Sequence, residues 1–187
     1  MRPDQPIPLW ITAQPTHLWR TRRPITHTPA YPHRPPLISI EIMPTKLENV
    51  AIAVRDLDAT IAFFTDLGLT VIGRDEVSGG WADTAVGLDG NHAKIAMLQT
   101  PDGNGRIELF EYIHPAAIET TPTLPNEIGM HRIAFSVDDI DESLAIAAKH
   151  GCTPLRGVAT YADLYKLAYV RGPSGIIVML AQELRKS

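Results

Sequence analysis

Gly129-Met-His-Arg-Ile-Ala-Phe-Ser-Val-Asp-Asp-Ile-Asp-Glu-Ser-Leu-Ala-Ile-Ala-Ala-Lys-His-Gly151 reads as a strand that turns at an Asp pair directly into an amphipathic helix. Ile133, Phe135 and Val137 alternate with Arg132, Ala134 and Ser136, the two-residue period of a strand with one buried face. The same plan occurs earlier in the chain. Val54, Asp56, Leu57, Asp58, Ile61, Ala62, Gly68 and Thr70 reappear as Val137, Asp139, Ile140, Asp141, Leu144, Ala145, Gly151 and Thr153. The offset is 83 from Val54/Val137 through to Gly68/Gly151, without a gap across strand, turn and helix. A match held in register over that length indicates a duplicated module.

Around the two copies the remaining elements fall into the same order. In the first, Leu47–Val54 alternates as a strand and Asp56 or Asp58 caps a helix carrying Leu57, Ile61 and Phe64 on one stripe. Gly68 ends that helix in the left-handed conformation that glycine tolerates. Strands follow at 69–74, 94–99 and 106–112, the last two joined by the turn sequence Pro101-Asp102-Gly103-Asn104-Gly105, while Trp81–Leu88 lies between loop signals. Residues 113–128, with Pro115, Pro122 and Pro125, form a linker. The second module gives a strand at 131–137, a helix at 139–150 and strands near 153–157, 166–171 and 176–181. The expected class is therefore α+β: two tandem βαβββ modules, 45–112 and 129–184, whose sheets each cover one face with a helix and together line one composite trough with the other.

Residues 1–44 are different in kind. Nine prolines between Pro3 and Pro36 remove backbone donors and forbid helix interiors, so a disordered or extended tail is expected. The net charge of −4 conceals an uneven distribution, because the tail before Met43 holds five arginines against Asp4 and Glu41. An acidic body without a basic stripe argues against nucleic acid as a partner. No run approaches the ~18 apolar residues of a membrane span. Cys152 is the one cysteine, so no internal disulfide is possible and a cytoplasmic location is expected.

Leu47-Glu-Asn-Val-Ala-Ile-Ala-Val-Arg-Asp-Leu-Asp58, Arg106-Ile-Glu-Leu-Phe-Glu-Tyr112, the opening stretch, and Gly172-Pro-Ser-Gly-Ile-Ile-Val-Met-Leu180 resemble the vicinal oxygen chelate superfamily of glyoxalases, epimerases, extradiol dioxygenases and bleomycin-resistance proteins. The resemblance covers residues 46–184. It implies a paired βαβββ fold and, in metal-dependent members, one divalent ion held at four strand positions, usually by His, Glu or Gln, His and Glu. In this chain those positions carry Asn49, Glu108, Arg132 and Met179. Only Glu108 is a conventional ligand. Arginine offers donors without a lone pair, and thioether sulfur suits soft ions, so no metal and no other cofactor are expected.

Strand alternation places the four positions in the trough without the resemblance. Asn49 and Arg132 oppose the apolar faces of their strands; Glu108 shares a face with Phe110 and Tyr112; Met179 lies opposite Val178 and Leu180. By the same alternation His131 should point to the apolar face, as a satisfied semi-buried histidine. A guanidinium in the trough suits an anion, and we expect Arg132 to pair with Glu108, with Asn49 as a further partner. Tyr161, Tyr165 and Tyr169 are weaker candidates for the cavity wall, Lys94 and Gln99 are left without a direction, and His150 is read as a local helix-end residue.

The leading function is binding of a small organic, anionic ligand by Asn49, Glu108, Phe110, Tyr112, Arg132 and Met179, in the manner of sequestering resistance proteins. The alternative is a metal-independent lyase, isomerase or epimerase in which Glu108 is the general base and Arg132 holds an enolate oxygen. A divalent-metal glyoxalase, epimerase or dioxygenase is the third. The expected partners are the ligand and a second copy of the chain, the modules pairing either within one chain or across a homodimer, with no nucleic acid and no membrane.

Overall fold

The computed structural model describes residues 46–184, so the expected disordered tail at 1–44 lies outside the described residues. The described part belongs to one compact unit, Thr45–Ser187. Its first module runs β1 (Val50–Ala53), α1 (Leu57–Asp66), β2 (Thr70–Ser78), α2 (Gly80–Val86), β3 (His92–Gln99) and β4 (Arg106–His114). Its second runs β5 (Ile133–Ser136), α3 (Ile140–Lys149), β6 (Thr153–Pro154), β7 (Ala159–Tyr161), β8 (Tyr165–Arg171) and β9 (Ile177–Glu183), with a 3-10 turn at Pro173–Gly175. The sheets are ordered β1-β4-β3-β2 and β5-β9-β8-β6, with β7 also pairing β8. In each, the first strand runs parallel to the last and the remaining main pairs are antiparallel. The α+β class and the two βαβββ modules are as the sequence predicts.

The duplication extends to single hydrogen bonds. Val54 N–H donates to Phe110 O and Val137 N–H to Ala181 O, both at 2.8 Å. Asp56 caps α1 by accepting from Ala59 N–H, and Asp139 caps α3 by accepting from Asp141 and Glu142 N–H. The Thr60 and Ser143 hydroxyls each donate at 2.7 Å to the cap residue's carbonyl. A side chain from each last strand reaches the first helical N–H: Glu111 Oε2 accepts from Leu57 at 2.8 Å, and Gln182 Oε1 from Ile140 at 3.2 Å. These contacts satisfy donors that a helix start leaves free and fix each helix over its own sheet.

Both helix-covered faces drain into one apolar core. Ile52, Phe64, Leu98 and Leu109 of the first module and Ile140, Val170, Val178 and Leu180 of the second belong to a single buried cluster. Phe64 contacts Phe135 across the module boundary at 6.1 Å between ring centroids. The Phe63 ring meets His150 edge-on at 5.7 Å, and His150 Nε2 lies 2.8 Å from Asp66 Oδ2. His150 is thus not merely a local helix-end residue; it ties the ends of α1 and α3 together. Arg55 adds a link from the strand end to the linker, with Nε 2.6 and 2.8 Å from the two Glu119 carboxylate oxygens. That pair raises the Arg55 pKa and lowers that of Glu119, but both side chains are open to water and it holds the linker weakly.

Several elements differ from the sequence reading: in place of one strand near 153–157 the structure has β6 and, after it, the unexpected β7. Residues 80–86 form the short helix α2, whose N-cap, Gly79, is one of the glycines read as a loop signal and whose end is Gly87, left-handed at φ 72°. Strand β2 extends to Ser78 past a bulge at Val71/Gly73. Strand β5 starts only at Ile133, two residues after the expected start. Among the described residues no helix is long and apolar enough to cross a membrane.

A core shared by both modules should unfold as one. Phe64→Ala, at a side chain with no exposure, is expected to cost about 3–5 kcal/mol and to leave a single cooperative transition in calorimetry. Two separate transitions would contradict a common core.

Candidate functional site

Because α1 and α3 cover one face of each sheet, the opposite faces carry the polar chemistry. On the first sheet Glu108 lies between Ala51 on β1 and Met97 on β3, with Phe110 opposite Ile95. Asn49 stands just before β1 and donates from Nδ2 to Glu108 Oε2 at 3.3 Å. Phe110 and Tyr112 stack along β4, their ring centroids 6.1 Å apart and their planes 22° from parallel. Glu108, Phe110 and Tyr112 are all half-buried, and the β1 alanines beside them are exposed. The result is a shallow wall of one carboxylate, one carboxamide and two rings.

On the second sheet Met179 is in register with Ala134 on β5 and Tyr169 on β8. Arg132 precedes β5 and lays its guanidinium carbon 5.2 Å from the centre of the Tyr169 ring. Its Nε donates to Met179 Sδ at 3.2 Å and one terminal nitrogen donates to His131 Nδ1 at 2.8 Å. The His131 ring meets Tyr169 edge-on at 5.5 Å. Arg132 is therefore held by a sulfur, an imidazole and an aromatic face.

These contacts revise the expected pairing. Glu108 and Arg132 point from the expected faces, but no hydrogen bond or ion pair joins them among the described residues: Glu108 is engaged by Asn49, and Arg132 by His131, Met179 and Tyr169. Nor, among the described residues, does any hydrogen bond join Asn49 to Arg132. The modules are joined by the common core instead. His131 is half-buried and satisfied, as expected, but it also reaches the Tyr169 ring beside Arg132, for an identifiable reason. Alternation binds a side chain to a face only within a hydrogen-bonded ladder, and the β5 ladder begins at the Ile133↔Val178 pair. One residue earlier than Arg132, His131 is free to share the Tyr169 ring with it.

The weaker candidates also resolve. Tyr165 and Tyr169 alternate onto the same face, and Tyr161 pairs with Tyr165 across β7 and β8. Lys94 reaches Glu111 at 3.2 Å on the helix side, and the Gln99 amide is spent on the Gly103 carbonyl in the hairpin turn, so neither belongs to the trough wall. His92 pairs with Glu76 at 3.0 Å, away from the four positions. Cys152 is buried, and burial pushes its thiol pKa up, which disfavours the thiolate a nucleophile needs.

The donor set does not fit a divalent ion. Of Asn49, Glu108, Arg132 and Met179, only Glu108 supplies a hard anionic oxygen, and Arg132 places a permanent cation among them. The described residues contain no group of three or more His, Cys, Asp and Glu side chains able to share a metal.

The family model of the Glyoxalase/Bleomycin resistance protein/Dioxygenase superfamily matches residues 48–169. A 2-epi-5-epi-valiolone epimerase from Actinomyces sp. is 31% identical over 125 residues, a match spanning 63% of this chain and 66% of that protein. Among solved structures, a glyoxalase family protein from Bacillus cereus is 39% identical, with 78% of this chain and 99% of that one covered at a TM-score of 0.75. A glyoxylase/bleomycin resistance protein/dioxygenase domain from Frankia sp. EAN1pec shares the fold at 20% identity and a TM-score of 0.55, covering 78% of this chain and 96% of that one.

The misfit of the donors has a direct test. Elemental analysis of protein purified without chelators is expected to find no stoichiometric divalent metal, and one ion per chain would contradict the assignment of donors given above.

Proposed function

This chain belongs to the Glyoxalase/Bleomycin resistance protein/Dioxygenase superfamily, and from that membership we propose that it binds a small organic anion on the polar faces of its two sheets without a metal. Arg132 carries the proposal. Its guanidinium is half-buried, permanently charged and met by a thioether, a ring and an imidazole nitrogen, none of which neutralises it. A cation placed this way, with donors left over, is complementary to a carboxylate or phosphate. Phe110 and Tyr112 on the other sheet offer flat apolar surface for the body of the ligand, and the Asn49–Glu108 pair offers acceptors for hydroxyl groups.

A second reading is favoured by the relative named as an epimerase. An epimerase must remove a proton from a carbon and return it to the opposite face. In this reading the Glu108 carboxylate takes the proton, with Asn49 fixing one of its oxygens so that the other faces the substrate; Arg132 stabilises the negative oxygen that develops, solvent water returns a proton to the opposite face, and Glu108 gives its own proton up to solvent. No metal is needed for those roles.

Assembly enters the same proposal. Among the described residues, β1 and β5 each end their sheet with one edge unpaired, and Ala51, Ala53, Ala134 and Ser136 on them are exposed. Uncovered edges of this kind invite pairing with another chain. We take the functional form to be a homodimer that covers them.

Three outcomes are expected. In thermal denaturation against a panel of small carboxylates and phosphates, at least one ligand at about 100 times its Kd should stabilise the wild type by ~2.7 kcal/mol and have no effect on Arg132→Met. A panel without effect, or one acting equally on Arg132→Met, would overturn the anion reading. Under the epimerase reading, Glu108→Gln abolishes exchange of the ligand's carbon-bound proton with deuterated solvent but leaves binding in place; exchange that survives in Glu108→Gln sinks it. Light scattering should return twice the 20.6 kDa chain mass, and a monomer at all concentrations would refute the dimer.

A further inference from the structure

His131 has one feature that the proposed anion site does not by itself require. Arginine has no acceptor, so in the 2.8 Å contact with the Arg132 guanidinium the imidazole Nδ1 must be the acceptor and the ring proton must sit on Nε2. The hydrogen bond exists only while His131 is neutral. Protonation removes the lone pair that receives it and sets a second positive charge against the guanidinium.

The surroundings leave that charge little else to meet. From β8, the Tyr169 ring faces both side chains. The rest of a small cavity of about 160 Å³ beside His131 and Arg132 is lined by Ile52 of β1, Thr123 of the linker, Met130 and Ile133 on either side of the pair, and Ile176 and Ile177 where β9 begins. Among the described residues, the titratable or charged groups in contact with His131 are Arg132 and the Tyr169 phenol, and none of those lining the cavity is a carboxylate.

We propose that His131 and Arg132 form a proton-coupled anion site, in which a bound anion is shared by two cations once the imidazole is protonated. The inference rests on Arg132 being the anion-binding group. Without an anion, protonation of His131 costs a hydrogen bond and brings two like charges together. With an anion between them both costs are offset, so the anion favours the protonated ring. Linkage makes the effect reciprocal: a ligand that favours protonation binds the protonated protein more tightly. Affinity for an anion whose own charge is constant should then rise as the pH falls through the ordinary imidazole range. Tyr169 is a positioning residue here, since its ring supports both groups at once.

Sulfate is a suitable probe because it stays a dianion throughout that range. Calorimetric titration at fixed ionic strength is expected to show affinity rising about tenfold from ~pH 8 to ~pH 5.5, the equivalent of one pKa unit of coupling. Carbon-detected titration of the His131 ring should show its apparent pKa rising when sulfate is added. His131→Gln keeps an acceptor oxygen for Arg132 but cannot titrate, so its sulfate affinity, whatever its level, should lose the pH dependence. Arg132→Met should lose sulfate at both pH values. Wild-type affinity that is flat with pH, or a pH dependence retained by His131→Gln, would overturn the role of His131 while leaving Arg132 as the anion group. Sulfate binding undiminished in Arg132→Met, or absent from the wild type at both pH values, would overturn the anion reading and this inference with it.

Discussion

The structure depends on one burial constraint: two amphipathic helices and two half-apolar sheets share a single core. With Phe64, Leu109, Ile140 and Leu180 turned into that core, the alternate positions of every strand must face away from it. Glu108, Phe110, Tyr169 and Met179 are on the outward faces for that reason, and Asn49 and Arg132, each just ahead of its ladder, join them through hydrogen bonds to Glu108 and Met179. The polar site is a by-product of where the apolar residues have to go. The helix caps at Asp56 and Asp139 and the strand-to-helix contacts of Glu111 and Gln182 fix the same geometry twice, which is why the two modules present comparable positions at Asn49 and Arg132.

That equivalence makes the difference between the two faces informative. At equivalent points one module has a carboxamide donating to a carboxylate, and the other has a guanidinium that, among the described residues, is paired with no carboxylate. A pair of like sites built for a metal would carry like ligands. Here the two faces are electrostatically opposite, which suits a ligand with an anionic end and a hydroxylated or aromatic body. The Met179 sulfur fits the same picture: it accepts from Arg132 Nε without adding charge, so it orients the guanidinium and leaves its cationic character intact.

Much of the fold was legible because it rests on local rules. The alternation through Val54 and Val137, the caps at Asp56 and Asp139, and the glycines Gly68 and Gly151, both at positive φ, are each signalled within a few residues. Helix α2 was not legible, because Gly79 and Gly87 serve equally well as loop residues or as helix ends, and only the burial of Ala82 decides between them. For the site, alternation gave the face of each side chain but not its partner. Arg132 was correctly assigned to the polar face, yet whether its long side chain reaches Glu108 or folds back onto Tyr169 depends on cross-strand register, which the sequence does not carry. His131 lies two residues before the ladder that enforces alternation, so alternation alone does not foretell that it both lines a cavity with Ile133 and Ile177 and meets the Tyr169 ring.

The glyoxalase-like fold accommodates metal chemistry, metal-free catalysis and simple binding, so residues and not architecture separate them. The central claim is that Arg132 is an anion-binding cation, and native mass spectrometry of untreated protein addresses it most directly. The account predicts a small organic anion carried through purification by the wild type, released on denaturation, and missing from Arg132→Met. An uncharged ligand in the wild type, or the same anion retained in full by Arg132→Met, would contradict it.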